Sequence, residues 1–449
     1  MSQYTSFYQY QKYESRDGGQ TFVPVYPNVY SIYSTGEQGG DKTVYKENDP
    51  KCGYTVPVEG MTRWIEIPNE YVCDDCEYTP PITGGTTGST TGDTGTTTGS
   101  TTGDTGTTTC ETKVAYDDGT TKVFSINGEI ASGSVYSISN AVSVDIGDCV
   151  TSIAPHTFED CELLSEIKMP NTITKIGTDA FMKCTALTDV RMPDSVKQIG
   201  AYVFHLCRSI SSLTLSNSLK NIEGYTCNGC KSLSSITIPN SVVRIENNAF
   251  AGTSLSSITI PDSVEYIGVA SFQGCDHLTS VEFGNEVKEI NGSFSYCKNL
   301  SSITIPDSVE MIGNWTFGWD IGITAVTIGG GVKKIGMNAF HNCSGFTTLM
   351  IPDSVEYIDA NAFYRCSGLT KVEIGSGTKY IENYAFSECP NLADVKIRNS
   401  TSKLEYNYAI FDNISSTAKL YVPSNLVADY QADTKWTDAF KGGVYAIGS

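Results

Sequence analysis

Ser257-Ile258-Thr259-Ile260-Pro261-Asp262-Ser263-Val264-Glu265-Tyr266-Ile267-Gly268, followed by Ala270-Ser271-Phe272-Gln273-Gly274-Cys275 and Leu278, decides the fold. The pattern returns about every 23 residues, eleven times between residues 149 and 398. A core phenylalanine marks ten copies, from Phe158 and Phe181 to Phe363 and Phe386, and Cys227 replaces it in one. Three residues later nine copies carry cysteine, from Cys161 to Cys389, with Thr253 and Asp320 as exceptions. A unit this short cannot bury its own apolar face, so the copies must stack and share one core, which makes the region a solenoid.

Within a copy, tripeptides such as Ile258-Thr259-Ile260, Ile303-Thr304-Ile305 and Val372-Glu373-Ile374 alternate with the period of a strand. Pro or Gly closes most of them, as at Pro261, Gly284 and Pro306. Pro presets φ, and the Asp or Asn that follows is expected to bond its own turn. A second apolar pair, Val264 with Ile267 or Val309 with Ile312, turns back into the core before Phe and Cys finish the coil. Stacked strands lie ~4.8 Å apart, so eleven turns predict a parallel ladder roughly 50 Å long.

In spacing and residue type these eleven copies resemble the BspA-like, bacterial-surface class of leucine-rich repeat. The resemblance covers residues 149–423. It implies a mainly β leucine-rich-repeat solenoid of about eleven turns with a cap at each end. Residues 110–148, with Val114-Ala115-Tyr116-Asp117-Asp118-Gly119-Thr120-Thr121-Lys122-Val123-Phe124, resemble the opening hairpin cap of such arrays. Lys419-Leu420-Tyr421-Val422-Pro423 and then residues 424–449, with Tyr430 and Trp436, resemble the closing cap. Proteins of this class are mostly adhesins that bind proteins or cell surfaces, and none of their motifs is catalytic.

A net charge of -20 argues against nucleic acid and anionic membrane as partners. No stretch approaches the roughly 20 apolar residues of a membrane helix. The start, Met1-Ser2-Gln3-Tyr4-Thr5-Ser6-Phe7-Tyr8, lacks the basic and apolar segments of a secretion signal. The expectation is a signal already removed or exit by another route, such as assembly into a virus particle released by lysis.

Residues 1–82 lack the repeat and read as a small β-rich module, with Val29-Tyr30-Ser31-Ile32-Tyr33 alternating like a strand. With Asn48-Asp49-Pro50-Lys51-Cys52-Gly53-Tyr54 and Arg63-Trp64-Ile65, the module resembles amino-terminal modules of particle proteins from crAss-like phages of gut bacteria. That resemblance implies an anchor to virion proteins through residues 1–82. Residues 83–109 repeat Thr86-Thr87-Gly88-Ser89-Thr90-Thr91-Gly92-Asp93-Thr94-Gly95-Thr96 and form a spacer with little to bury. An alternative is that three copies pair there as a thin fibre, giving a homotrimer.

Cys73-Asp74-Asp75-Cys76 has the spacing of half a zinc knuckle, which leaves zinc, disulfide and free-thiol readings open for Cys52, Cys73, Cys76 and Cys110. The nine-cysteine column reads as small buried hydrophobes rather than bridges, because Thr253 and Asp320 replace Cys without disturbing the frame. Glu265, Lys288, Glu310, Lys333, Glu356 and Lys379 alternate in sign and read as a solvated ladder. His205 and His341 share a column but lie six turns, roughly 29 Å, apart, too far to share a metal. No metal site, cofactor or catalytic residue is expected.

The largest departure from the repeat is Gly313-Asn314-Trp315-Thr316-Phe317-Gly318-Trp319-Asp320. Trp315 sits where neighbouring copies place Ser271, Asn338 and Asn361, which predicts exposure. With Trp319, Tyr296, Tyr364 and Tyr384 it forms the candidate ligand-binding set, since exposed aromatics on a rigid array make hot spots. The other reading is repacking around the lost Cys, with Trp319 folded inward. The functional expectation is a non-enzymatic adhesion protein, carried on a virion and contacting a bacterial surface protein, glycan or mucus. The alternatives are an architectural virion component or a cellular surface adhesin.

Overall fold

Three apolar positions per copy set three ladders. The computed structural model describes residues 110–131, 138–405 and 407–448, with the backbone of five strands between residues 11 and 65. Two compact units result, Met1–Thr102 and Gly103–Ser449. In the first, the strands lie in the order Asp49–Pro57, Asp41–Lys46, Thr21–Pro24, Gln11–Ser15 and Thr62–Ile65. The stretch Val29–Tyr33 and the spacer lie outside the described residues.

In the second unit, alternating residues become the long strands of the solenoid. Ser302–Ile305 and Thr348–Ile351 bury every second side chain, as a strand with one wet face must. Parallel pairing sets like on like: Ile303 against Val326 and Ile305 against Ile328, then Leu349 against Val372 and Val372 against Val395. Two-residue strands make the second ladder, where Ile245, Ile267, Ile290, Ile312, Ile335, Ile358 and Ile381 stack in register. In the third, the Phe317 N–H donates to the Ala339 carbonyl and the Phe340 N–H to the Ala362 carbonyl, each at 2.8 Å.

The phenylalanines are buried and stack face to face, as between Phe272 and Phe294 (5.1 Å, 1°) and Phe363 and Phe386 (5.0 Å, 7°). The ladder runs further than the eleven repeats read from sequence, to about 14 turns. Ala141–Asp145 begins the long-strand column and Val444–Ala446 ends it. At the start, Glu111–Tyr116 and Thr121–Ser125 form a hairpin whose first strand pairs antiparallel with Ala141–Asp145 and covers an otherwise open edge. Cys110 is bonded to Cys149, which ties this hairpin to the first repeat. At the far end, helices α1 (Val427–Gln431) and α2 (Thr434–Ala439) bury Tyr430 and Trp436, and Phe440 follows them. Phe411, the last ring of the stack, packs on Phe440 and Trp436.

The long-strand column is interrupted between Ser280–Glu282 and Ser302–Ile305, between Ala325–Ile328 and Thr348–Ile351, and around residue 235. No strand forms over residues 235–238, although their sequence matches the pattern. The short-strand ladder also breaks between Gln198–Ile199 and Asn221–Ile222. Asn221–Ile222 lies in the coil in which Cys227 stands in for phenylalanine, and residues 235–238 open the coil after it.

Two sequence expectations change. The nine-cysteine column is buried with free thiols, but its thiols are more than apolar filler. Each from Cys184 onward donates to the Phe carbonyl of the preceding coil, as Cys207 to Phe181 and Cys343 to Phe317, both at 2.9 Å. The turn aspartates also reach across coils rather than to their own turn. Asp262, Asp307 and Asp353 accept the N–H of Asn285, Gly330 and Ser376, 23 residues on. That bond holds the Asp353 carboxyl below its ordinary value of 3.8.

Candidate functional site: an aromatic band on the phenylalanine edge

To drive Phe into the core, the backbone turns sharply on both sides of it. The residues two before and two after adopt left-handed φ: Asn338 and Asn342 around Phe340, Trp315 (59°) and Trp319 (68°) around Phe317. An L-residue there strains its Cβ against the next carbonyl by roughly 1–2 kcal/mol, least for Gly and Asn. Aromatic side chains nevertheless occupy six such positions: Tyr202, Tyr225, Tyr296, Trp315, Trp319 and Tyr384.

All five aromatics singled out in the sequence lie on this edge and join one band. Tyr296 stacks on Trp319 (6.1 Å, 4°). His341 packs between the indoles of Trp319 (5.6 Å) and Trp315 (5.2 Å) and stacks on Tyr364 (5.2 Å, 25°). Tyr364 meets Tyr384 edge-on, and Tyr384 meets Tyr408 at 5.3 Å and 80°. The Arg365 guanidinium lies 5.2 Å from the Tyr364 ring centre. Tyr296 and Trp315 are about two-fifths exposed and Tyr408 is 68% exposed. Trp319 is half-buried by its neighbours along the band rather than folded into the core.

His341, weighed in the sequence only as a metal ligand, and Tyr408 were not among the candidate binding residues. Burial lowers the His341 pKa from its ordinary 6.5, helped by the Arg365 charge, which favours the neutral imidazole. The position of Trp315 also needs one correction. Its counterpart is Ala270, left-handed at 58°, while Ser271 is buried and bonds the Gly268 carbonyl. A smaller cluster, Tyr202 stacked on Tyr225 at 4.4 Å with His205 edge-on, lies earlier on the same edge.

Beneath the band, Asp320 occupies the cysteine column. It is buried; Oδ1 accepts the Cys297 N–H at 2.6 Å, and Oδ2 has no partner. Burial raises its pKa well above the ordinary 3.8, which favours the protonated carboxyl.

Elsewhere the chemistry is sparse. The disulfide to Cys149 removes Cys110 from any four-thiolate zinc set with Cys52, Cys73 and Cys76, whose side chains lie outside the described residues. Among the described residues no three His, Cys, Asp or Glu side chains gather as metal ligands, and no helix is long and apolar enough to cross a membrane. In the alternating charge column, Glu356 and Lys379 pair at 2.7 Å, and the other members form no ion pair among the described residues.

The repeat, the ladders and the caps meet a known family at this point. The model of the BspA type leucine rich repeat region matches residues 128–254, 243–344 and 310–430. The chain belongs to this family. Binding or adhesion is the activity that membership supports. Similar solved structures include a leucine rich cell surface protein from Faecalibacterium prausnitzii, 24% identical over 66% of this chain and 94% of that one, with a TM-score of 0.41. A leucine-rich repeat protein from Bacteroides ovatus is 20% identical over 68% and 98%, with a TM-score of 0.46. The pneumococcal vaccine antigen PcpA is 19% identical over 74% and 85%, with a TM-score of 0.41. No curated protein sequence matches.

Proposed function

We propose that the chain is a non-enzymatic adhesion protein whose aromatic band, from Tyr296 to Tyr408, contacts a bacterial surface or its glycan coat. The observation that carries this reading is the strain. Some coils fill the same left-handed positions with Gly229, Gly252, Asn338 or Asn361, which satisfy the turn at lower cost, and others with Lys183, Leu206, Arg365 or Glu388, so the turn itself does not call for a ring. Four large rings of the band, Tyr296, Trp315, Trp319 and Tyr384, are held there against local preference, and with His341, Tyr364 and Tyr408 they make one contact chain over six successive coils, as a binding edge requires. Family membership supports a location at a cell surface or outside the cell. Carriage on a virus particle through residues 1–82 is supported by the resemblance of that module to phage particle proteins.

The test uses substitutions that suit the backbone. Tyr296→Gly, Trp315→Asn and Trp319→Gly, combined, are expected to leave the melting temperature unchanged or raise it while abolishing retention on host cells. Retention that persists with an intact fold rejects the band. Mass spectrometry of purified particles against cell envelopes decides between a virion and a cellular location.

A further inference from the structure

The far end of the band opens on a cleft of about 710 Å³ between the last phenylalanine turn and α2. Phe411, Ile414 and Ala439 supply its apolar lining, and Tyr408, Asp412, Asp438 and Lys441 its wall and rim. Tyr408 is the terminal ring of the band. Among the described residues it meets one other ring, Tyr384, and it is the most exposed large apolar side chain. Inner rings such as Trp319 turn their faces toward neighbours within the band, whereas Tyr408 keeps ring surface open at the cleft. The carboxylates of Asp412 and Asp438 and the ammonium of Lys441 make no hydrogen bond or ion pair with another described residue.

We infer that this cleft is a carbohydrate subsite that takes a terminal pyranose residue of the glycan lying along the band. The inference rests on the band reading and names its ligand class. A sugar ring has an apolar C–H face that stacks on an aromatic side chain and a rim of hydroxyls that need acceptors and donors. Tyr408 supplies the first, the two aspartates the acceptors, and Lys441 the donor. A volume of several hundred Å³ with an apolar floor and a few convergent polar groups is that of a small-molecule site. A folded protein partner makes poor use of such a cleft, because its contacts would have to desolvate four charged groups at once, Lys435 among them.

Saturation-transfer NMR on the full chain, with glucose, galactose and N-acetylglucosamine methyl glycosides and their linear oligomers of up to six residues, tests this. At least one probe is expected to show transfer. Tyr408→Ala and Asp438→Ala are each expected to weaken it by about tenfold, the size of a hot-spot truncation. Both residues are exposed, so an unchanged melting curve is expected to show that loss of signal is not loss of fold. Absence of transfer from every probe, or transfer untouched by both substitutions, overturns the subsite. If the band variants of the preceding section still abolish cell retention in that case, the adhesive reading survives and only its sugar end falls.

Discussion

The coil built on Cys227 and the coil built on Asp320 each lose one core side chain of the repeat, and the lattice around them responds differently. Cys227 replaces a ring; residues 235–238, which open the next coil, form no strand, and the short ladder breaks between Gln198–Ile199 and Asn221–Ile222. Asp320 replaces a thiol, yet the strands on both sides, Ser302–Ile305 and Ala325–Ile328, keep four residues in register. The phenylalanine stack also runs through the second coil without a gap, at 5.8 and 5.2 Å. The phenylalanine stack therefore survives loss of the thiol, whereas strand breaks also flank the Asp320 coil, before Ser302–Ile305 and after Ala325–Ile328; missing ring volume is what a close-packed interior tolerates least. The cysteine column contributes mainly one hydrogen bond, which another polar group can replace.

Removing a ring from the regular run breaks the comparison most severely. Phe340→Ala is expected to cost about 3–5 kcal/mol in denaturant unfolding and to loosen the adjoining strands as in the Cys227 coil. Restoring the thiol is next. Asp320→Cys removes a buried carboxyl with an unpartnered oxygen and is expected to gain about 1–3 kcal/mol at neutral pH. Because the folded pKa of Asp320 is raised, the native state holds this proton above pH 3.8 while the unfolded chain releases it. Wild-type stability from this group is present below that pH and lost as pH rises, so the advantage of Asp320→Cys grows with pH. Melts of the two proteins from pH 4 to 8 check the sign.

Native-state hydrogen exchange sharpens the contrast without a substitution. Amides of Ile236 and Ile238 are expected to exchange faster than those of Ile303 and Ile305 by at least about tenfold, or 1.4 kcal/mol in opening free energy. The smallest effect lies on the solvated edge. Glu356 and Lys379 pair with more than a third of each side chain exposed, so Lys379→Ala is expected to change stability by a few tenths of a kcal/mol. Added salt abolishes that difference.

Much of this was legible in the chain. The inward residues, the stacked phenylalanines and the caps follow from a pattern that repeats in type and spacing. The five aromatics of the candidate site were legible as departures from that pattern. Their connection was not, because His341 and Tyr408, which join and end the band, resemble ordinary surface residues. Counting back two residues from Phe272 and Phe317 already matches Trp315 to Ala270 rather than Ser271, and the sign of φ agrees. The Cys110–Cys149 bond was hidden because the four-cysteine reading grouped Cys110 with Cys52, Cys73 and Cys76.

By itself the sequence determined the period, the residues that face inward and the coils that depart from the rule, since these depend on local alternation and side-chain volume. Only the tertiary structure decided which groups meet across coils. Examples are the thiols on the preceding Phe carbonyls, the turn aspartates on the following N–H groups, and the rings that touch along the outer edge. Those partners stand about one period apart, and the left-handed turns that aim them leave no unique mark in residue type.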